Sequence, residues 1–97
     1  MIGVFVTFEP KGELDPEMVQ KIADEARGMF EGMPDLRYKF FTFEESLPRA
    51  TNFYVWDREE AARAFFSDQL LERVTGLYGV RPTVDFVDIV GFVDNAG

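Results

Sequence analysis

Cysteine and histidine are both missing from this chain of 97 residues. Without cysteine there is no disulfide, no thiolate nucleophile and no thiolate metal site, a pattern that fits a cytoplasmic setting. Without histidine, the usual metal ligand and the usual proton carrier near neutral pH are gone. Metal binding is therefore not expected, and any acid–base role falls to other groups. Positive charge is scarce as well: ten Lys and Arg stand against eighteen Asp and Glu, leaving a net charge of −8. A nucleic acid needs a cationic footprint for its phosphates, and an anionic membrane surface needs the same, so neither partner is expected. No apolar run approaches the ~18–20 residues of a membrane helix. No basic segment leads into a hydrophobic one at the amino terminus, so no signal peptide is expected. The partner such a chain favours is a neutral or apolar small molecule, or another protein.

Aromatic bulk is present in quantity: eleven Phe, three Tyr and one Trp supply enough apolar volume for one packed interior. The length leaves no room for a second core, so residues 1–97 read as a single domain. Residues 2–9 are rich in β-branched and aromatic types and predict a strand that Pro10-Lys11-Gly12 breaks. Asp15-Pro16-Glu17 is a helix start, with a capping carboxylate, a proline at the first helical position and an acid near the positive end of the dipole. This helix turns Met18, Ile22, Ala26, Met29 and Phe30 inward and ends at Gly32-Met33-Pro34. Strands follow over 35–44 and 51–56, joined by a polar connection that contains Pro48. Asp57 is placed to cap a second helix over 58–75, with Ala62, Phe65, Phe66, Leu70 and Val74 inward and Gly76 at its end. A long last strand covers 82–93.

The order β-α-β-β-α-β defines an α+β, ferredoxin-like fold, a four-stranded antiparallel sheet with two helices on one face. Two helices leave the other face bare, yet the strands are apolar on both sides. Ile2, Val4, Val6 and Phe8 oppose Phe5, while Val84, Phe86, Val90 and Phe92 oppose Val87, Ile89 and Val93. A sheet with one wet face alternates cleanly. The pattern therefore predicts a homodimer packed sheet to sheet.

The richest stretch for function is 51–66, where a strand runs directly into an amphipathic helix. Asn52, Tyr54 and Trp56 share one strand face because side chains alternate with period two. An amide there can hold a polar substrate atom or a developing oxyanion, and an indole can stack and donate one hydrogen bond. Asn52 and Trp56 are thus candidate catalytic residues, and Tyr54, Phe65 and Phe66 candidate walls of a substrate pocket. The same spacing also suits a core tryptophan beside a solvent-facing amide. Asp85 and Asp88 interrupt the last strand, either as a desolvated base or as ion-pair partners of Arg37 or Lys39 across the dimer. Tyr38, Tyr54 and Tyr78 add phenols for a pocket or a core. Phosphate-binding glycine loops, the Gly-x-Ser-x-Gly elbow and metal-ligand spacings are absent. The basic, Gly-aromatic signature of RNA-recognition domains is absent too.

Leu36-Arg37-Tyr38-Lys39-Phe40-Phe41-Thr42, Phe53-Tyr54-Val55-Trp56 followed by Glu59 to Phe66, and Gly79-Val80 carry a resemblance over nearly the whole chain. The chain resembles the YdhR-like and antibiotic-biosynthesis monooxygenases of the dimeric α/β-barrel group. The resemblance implies a ferredoxin-like homodimer and, from some members, cofactor-independent oxygenation of phenolic or anthrone-like, small aromatic or polyketide-like substrates. In those members an Asn and a Trp four apart on this strand are implicated, the spacing of Asn52 and Trp56. YdhR-like members tend to carry Trp at the positions of Tyr38 and Phe41 and Gly at that of Asn52. Haem-degrading relatives need a helix His that this chain lacks. The group also includes non-catalytic ligand-binding and stress-response proteins, which keeps a binding module as the alternative.

Overall fold

Four apolar side chains at alternate positions make β1 (Ile2–Phe8) the spine of the molecule. Ile2, Val4, Val6 and Phe8 are at most 4% exposed and all face the helices. The computed structural model describes residues 1–96. Its remaining elements are α1 (Pro16–Phe30), β2 (Leu36–Glu44), β3 (Arg49–Trp56), α2 (Glu59–Phe65), α3 (Asp68–Tyr78) and β4 (Thr83–Asp88). The antiparallel sheet has the order β2-β3-β1-β4, so β1 and β3 are central and the other two strands are edges. This is the ferredoxin-like arrangement, with helices on one face and a core of Val4, Phe8, Ala50, Tyr54, Trp56, Ala62 and their neighbours.

The first helix forms where its capping signals stand. The Asp15 carboxylate accepts from the Glu17 N–H at 3.0 Å, and Pro16 opens the helix. It ends after Phe30, the last residue of its apolar pattern, but Met29 stays half exposed.

The second helix differs from expectation: it is two helices. Phe66 leaves the helical region (φ −86°, ψ 60°), and the Ser67 hydroxyl accepts from the Leu70 N–H at 3.2 Å to start α3. A local N-cap outcompetes continuation of the helix here, because serine satisfies an amide that would otherwise be orphaned. At the start of α2 the cap position belongs to Arg58, not Asp57. The Asp57 carboxylate instead pairs with Arg37 at 3.0 Å. At the far end Gly76 lies inside α3. The helix stops at Gly79, whose φ of 76° is the left-handed conformation glycine adopts without a Cβ penalty.

β2 carries a bulge. Leu36 pairs with Trp56 but Tyr38 pairs with Val55, so Arg37 is the extra residue. Leu36 and Lys39, three apart, therefore both face the helices. The last strand is shorter than the 82–93 expected: it covers Thr83–Asp88, and its register with β1 ends at Ile2 opposite Asp88. After the Ile89 N–H donates to the Met1 carbonyl at 3.2 Å, the chain leaves the sheet. It then reaches the other edge, where Phe92 lies 5.5 Å from the Tyr38 ring.

The bare face of the sheet is apolar as anticipated. The Phe5 and Phe53 rings meet tilted at 4.5 Å, Phe40 stacks on Phe53 at 6.2 Å, and Phe5, Phe40 and Val87 are exposed. Gly3 permits this packing, since a Cβ there would sit 3.0 Å from the Phe53 ring and 3.1 Å from Val87.

Candidate functional site

Between the helix-facing side of the sheet and helices α1 and α3 lies a cavity of about 250 Å³. Its floor is Lys39 and Phe41 from β2 and Asn52 and Tyr54 from β3. Its walls include Ile22, Ala26 and Phe30 from α1, Phe65 from α2, and Leu70, Val74 and Tyr78 from α3. Phe30 spans the gap, with its ring 5.8 Å from Tyr54, 5.9 Å from Phe65 and 6.0 Å from Phe41. Phe8, stacked on Tyr78 at 3.8 Å, fixes the opposite wall. The volume lies just below the ~300–1,000 Å³ of pockets for drug-sized ligands.

Asn52, Tyr54 and Phe65, three of the five residues anticipated from sequence, meet in this cavity. Asn52 is only 7% exposed and faces the helices, on the same cavity lining as the Tyr78 phenol, whose ionised form its amide favours. Trp56 and Phe66 lie one layer further along the strand, outside the lining. Trp56 is 2% exposed; its ring is 6.3 Å from Tyr54 and 5.3 Å from Phe65, and its indole N–H has no hydrogen-bond partner among the described residues. Phe66 meets Tyr54 edge-on at 4.9 Å and then Phe86 at 6.0 Å. Both therefore back the residues that line the cavity.

Lys39 is the residue that sequence reasoning misplaced. The sequence offers either Arg37 or Lys39 as an ion-pair partner of Asp85 or Asp88 across the dimer. In the fold Lys39 points to the helices. Its Nζ is buried without a hydrogen-bond partner among the described residues, 3.9 Å from the Tyr54 ring centre, 4.1 Å from Phe41 and 5.1 Å from Phe30. The one available signal was a lone lysine inside an otherwise aromatic run, Tyr38-Lys39-Phe40-Phe41. Asp85 and Asp88, the acids named as its partners, are exposed in the single chain, Asp85 beside Phe5 on the bare face of the sheet.

Burial sets the proton chemistry. It lowers the Lys39 amine from 10.5 to about 6, while the three ring faces favour the cation and work in the other direction. Burial pushes the Tyr54 phenol well above its usual range, and the nearby Tyr78 adds to this. Burial also raises Tyr78, partly opposed by the Asn52 amide. At neutral pH the cavity thus presents two protonated phenols, one amide and an amine with a free lone pair. Among the described residues no three acidic side chains converge on a possible metal site. No helix there is long and apolar enough to cross a membrane.

No family model and no curated protein sequence matches the chain. Solved structures do. The ActVA-Orf6 monooxygenase of Streptomyces coelicolor, solved in complex with nanaomycin D, superposes with a TM-score of 0.69 at 20% identity, over 98% of this chain and 92% of that one. NE2512 of Nitrosomonas europaea, a protein of unknown function, follows at 0.67 and 16% identity, over 99% and 95%. An antibiotic biosynthesis monooxygenase gives 0.60 and 14% identity, over 94% and 100%. At these identities the likeness is one of fold. This chain has the ferredoxin-like fold found in antibiotic-biosynthesis monooxygenases.

Proposed function

We propose that this protein is a monooxygenase of small aromatic, phenol- or anthrone-like molecules that draws on no bound cofactor. The observation that carries the reading is the apolar cavity that brings an amide and two neutral phenols together among aromatic walls. The fold shared with antibiotic-biosynthesis monooxygenases supports it. An activated methylene or phenol supplies its own electrons once deprotonated. In the methylene case carbon loses two hydrogens and gains one oxygen, and the second oxygen leaves as water, so substrate and dioxygen balance without a further reductant. The chain's part is to hold the ring in a dry, oxygen-permeable pocket and to stabilise the charge on the substrate oxygen. Asn52 and Tyr78 are the donors placed for that charge. Tyr54 and Phe65 flank the ring, and Trp56 and Phe66 hold those two in position.

The exposed Phe5, Phe40 and Val87 on the bare sheet face, with Val90 and Val93 beyond it, support a homodimer closed sheet to sheet. The functional reading is tested by oxygen uptake with anthrones, naphthols and hydroquinones. Uptake should depend on the protein and fall at least tenfold in Asn52→Ala with an unchanged circular dichroism spectrum. Ligand-induced thermal stabilisation without uptake would instead make the protein a binding module.

A further inference from the structure

We propose that Lys39 is the proton acceptor of this pocket: its Nζ takes a proton from an acidic group of the bound aromatic and then holds the resulting anion as its ion-pair partner. The inference rests on the reading that the cavity receives such a ring.

The geometry is unusual for a lysine. An ammonium ordinarily snorkels to water along its stem. Here the stem runs into the interior from β2, opposite Tyr54 in the sheet register, and the amine ends among three rings with no hydrogen-bond partner among the described residues. A polar group buried in this way is costly unless something reaches it. The cavity supplies the route, since Lys39 lies on its floor beside Tyr54 and Asn52. An oxygen of a ring lying between these residues would meet the amine on one side and the Asn52–Tyr78 pair on the other.

Among the described residues no other group takes the role of partner. On α1, Glu25 at the cavity rim is 4.0 Å from Lys21, Arg27 holds Glu31 at 3.1 Å, and Asp24 accepts from Gln20 at 2.9 Å. On β2, Arg37 is paired with Asp57. On α3, Arg73 lies on the lining and is itself cationic, while Tyr54 and Tyr78 are phenols held in their neutral form. Lys39 is the basic group left in the pocket. Its lowered basicity agrees with that role, because an acceptor poised near the working pH transfers protons most effectively.

The step balances simply. An O–H or activated C–H bond of the substrate breaks, an N–H bond forms on Nζ, and the electron pair stays on the substrate. Two neutral groups become an ion pair, whose mutual attraction in the cavity offsets the desolvation of the two charges. When dioxygen is reduced, the proton held on Nζ returns to the departing oxygen, and the amine is neutral again.

The test is made without oxygen, so that it does not depend on turnover. The probe is 4-nitrophenol, which is coloured only as its anion. The protein carries 13C-labelled lysine; Lys11 and Lys21, the other two lysines, are exposed and serve as references. The Lys39 signal should titrate ~2 pH units or more below theirs. Added 4-nitrophenol should move its midpoint upward, and the bound dye should ionise at least tenfold more readily than the free dye. Lys39→Met should bind the dye as the uncharged phenol. Dye bound uncharged by the parent, a Lys39 signal indifferent to the dye, no dye binding, or unchanged dye ionisation in Lys39→Met would each overturn the proposal. If the dye results hold and no substrate consumes oxygen, the oxygenase reading fails while Lys39 keeps its role.

Discussion

Replacing Lys39 by Met should make the protein more stable near neutral pH, by an amount that depends on pH in a defined way. A pKa taken from 10.5 to about 6 by burial penalises the charged amine by ~6 kcal/mol in full. The aromatic faces around Nζ return ~0.5–2 kcal/mol. Near pH 7 most of the remainder is still felt, because a proton bound in the unfolded chain must be released on folding. Methionine keeps the apolar stem and removes the charge, so a gain of roughly 2–4 kcal/mol is expected near pH 7. The sign follows from proton counting. Between about pH 6 and 10 the unfolded chain holds a proton at Lys39 that the folded chain has lost, so the parent's stability rises with pH. Lys39→Met lacks that contribution. Its advantage should be largest at or below pH 6 and shrink by up to ~1.4 kcal/mol per pH unit towards pH 10. Urea denaturation of both proteins across that interval, compared as a difference curve, isolates the residue from every other titrating group. A flat difference curve, or a variant less stable than the parent at pH 7, would refute the reasoning.

Other expectations concern elements around the pocket. Ser67→Ala removes the N-cap of α3 and should cost ~1 kcal/mol in thermal unfolding, whereas Asp57→Ala should leave α2 capped as before. Phe8→Ala opens a hole beneath Tyr78 and should cost ~3–5 kcal/mol. It should also weaken aromatic ligand binding in calorimetry, because Phe8 is fully buried against that ring. Phe5→Asp places a charge on the bare sheet face and should yield a folded monomer by light scattering; a monomeric parent would end the dimer proposal.

The spine of the fold was legible because burial there depends on local alternation. Ile2, Val4, Val6 and Phe8 repeat with period two, and Asp15-Pro16 announces α1 by its own chemistry. The departures arise where two local signals compete or where a distant partner decides. Ser67-Asp68 is a helix start in its own right, but the apolar spacing of Phe65, Leu70 and Val74 continues through it and hides the break. The end of β4 coincides with the end of its register with β1, at Ile2 opposite Asp88, which no pattern within residues 82–93 reveals. The bulge at Arg37 has the largest consequence, since a single inserted residue turns Lys39 from the open face into the pocket. Asn52 and Tyr54 could be assigned a common face from parity, but only the packing of α1 and α3 shows that this face encloses a cavity. Trp56 shares that parity and falls beyond the cavity's edge, because parity specifies a direction and not a depth.

Turnover of an anthrone or naphthol under 18O-labelled dioxygen tests the central claim most directly, with the product and solvent oxygen read by mass spectrometry. The account predicts one labelled atom in the product and the other in water, with formation sharply reduced in Asn52→Ala. A product formed at the same rate without the protein, or one carrying no label, would contradict it.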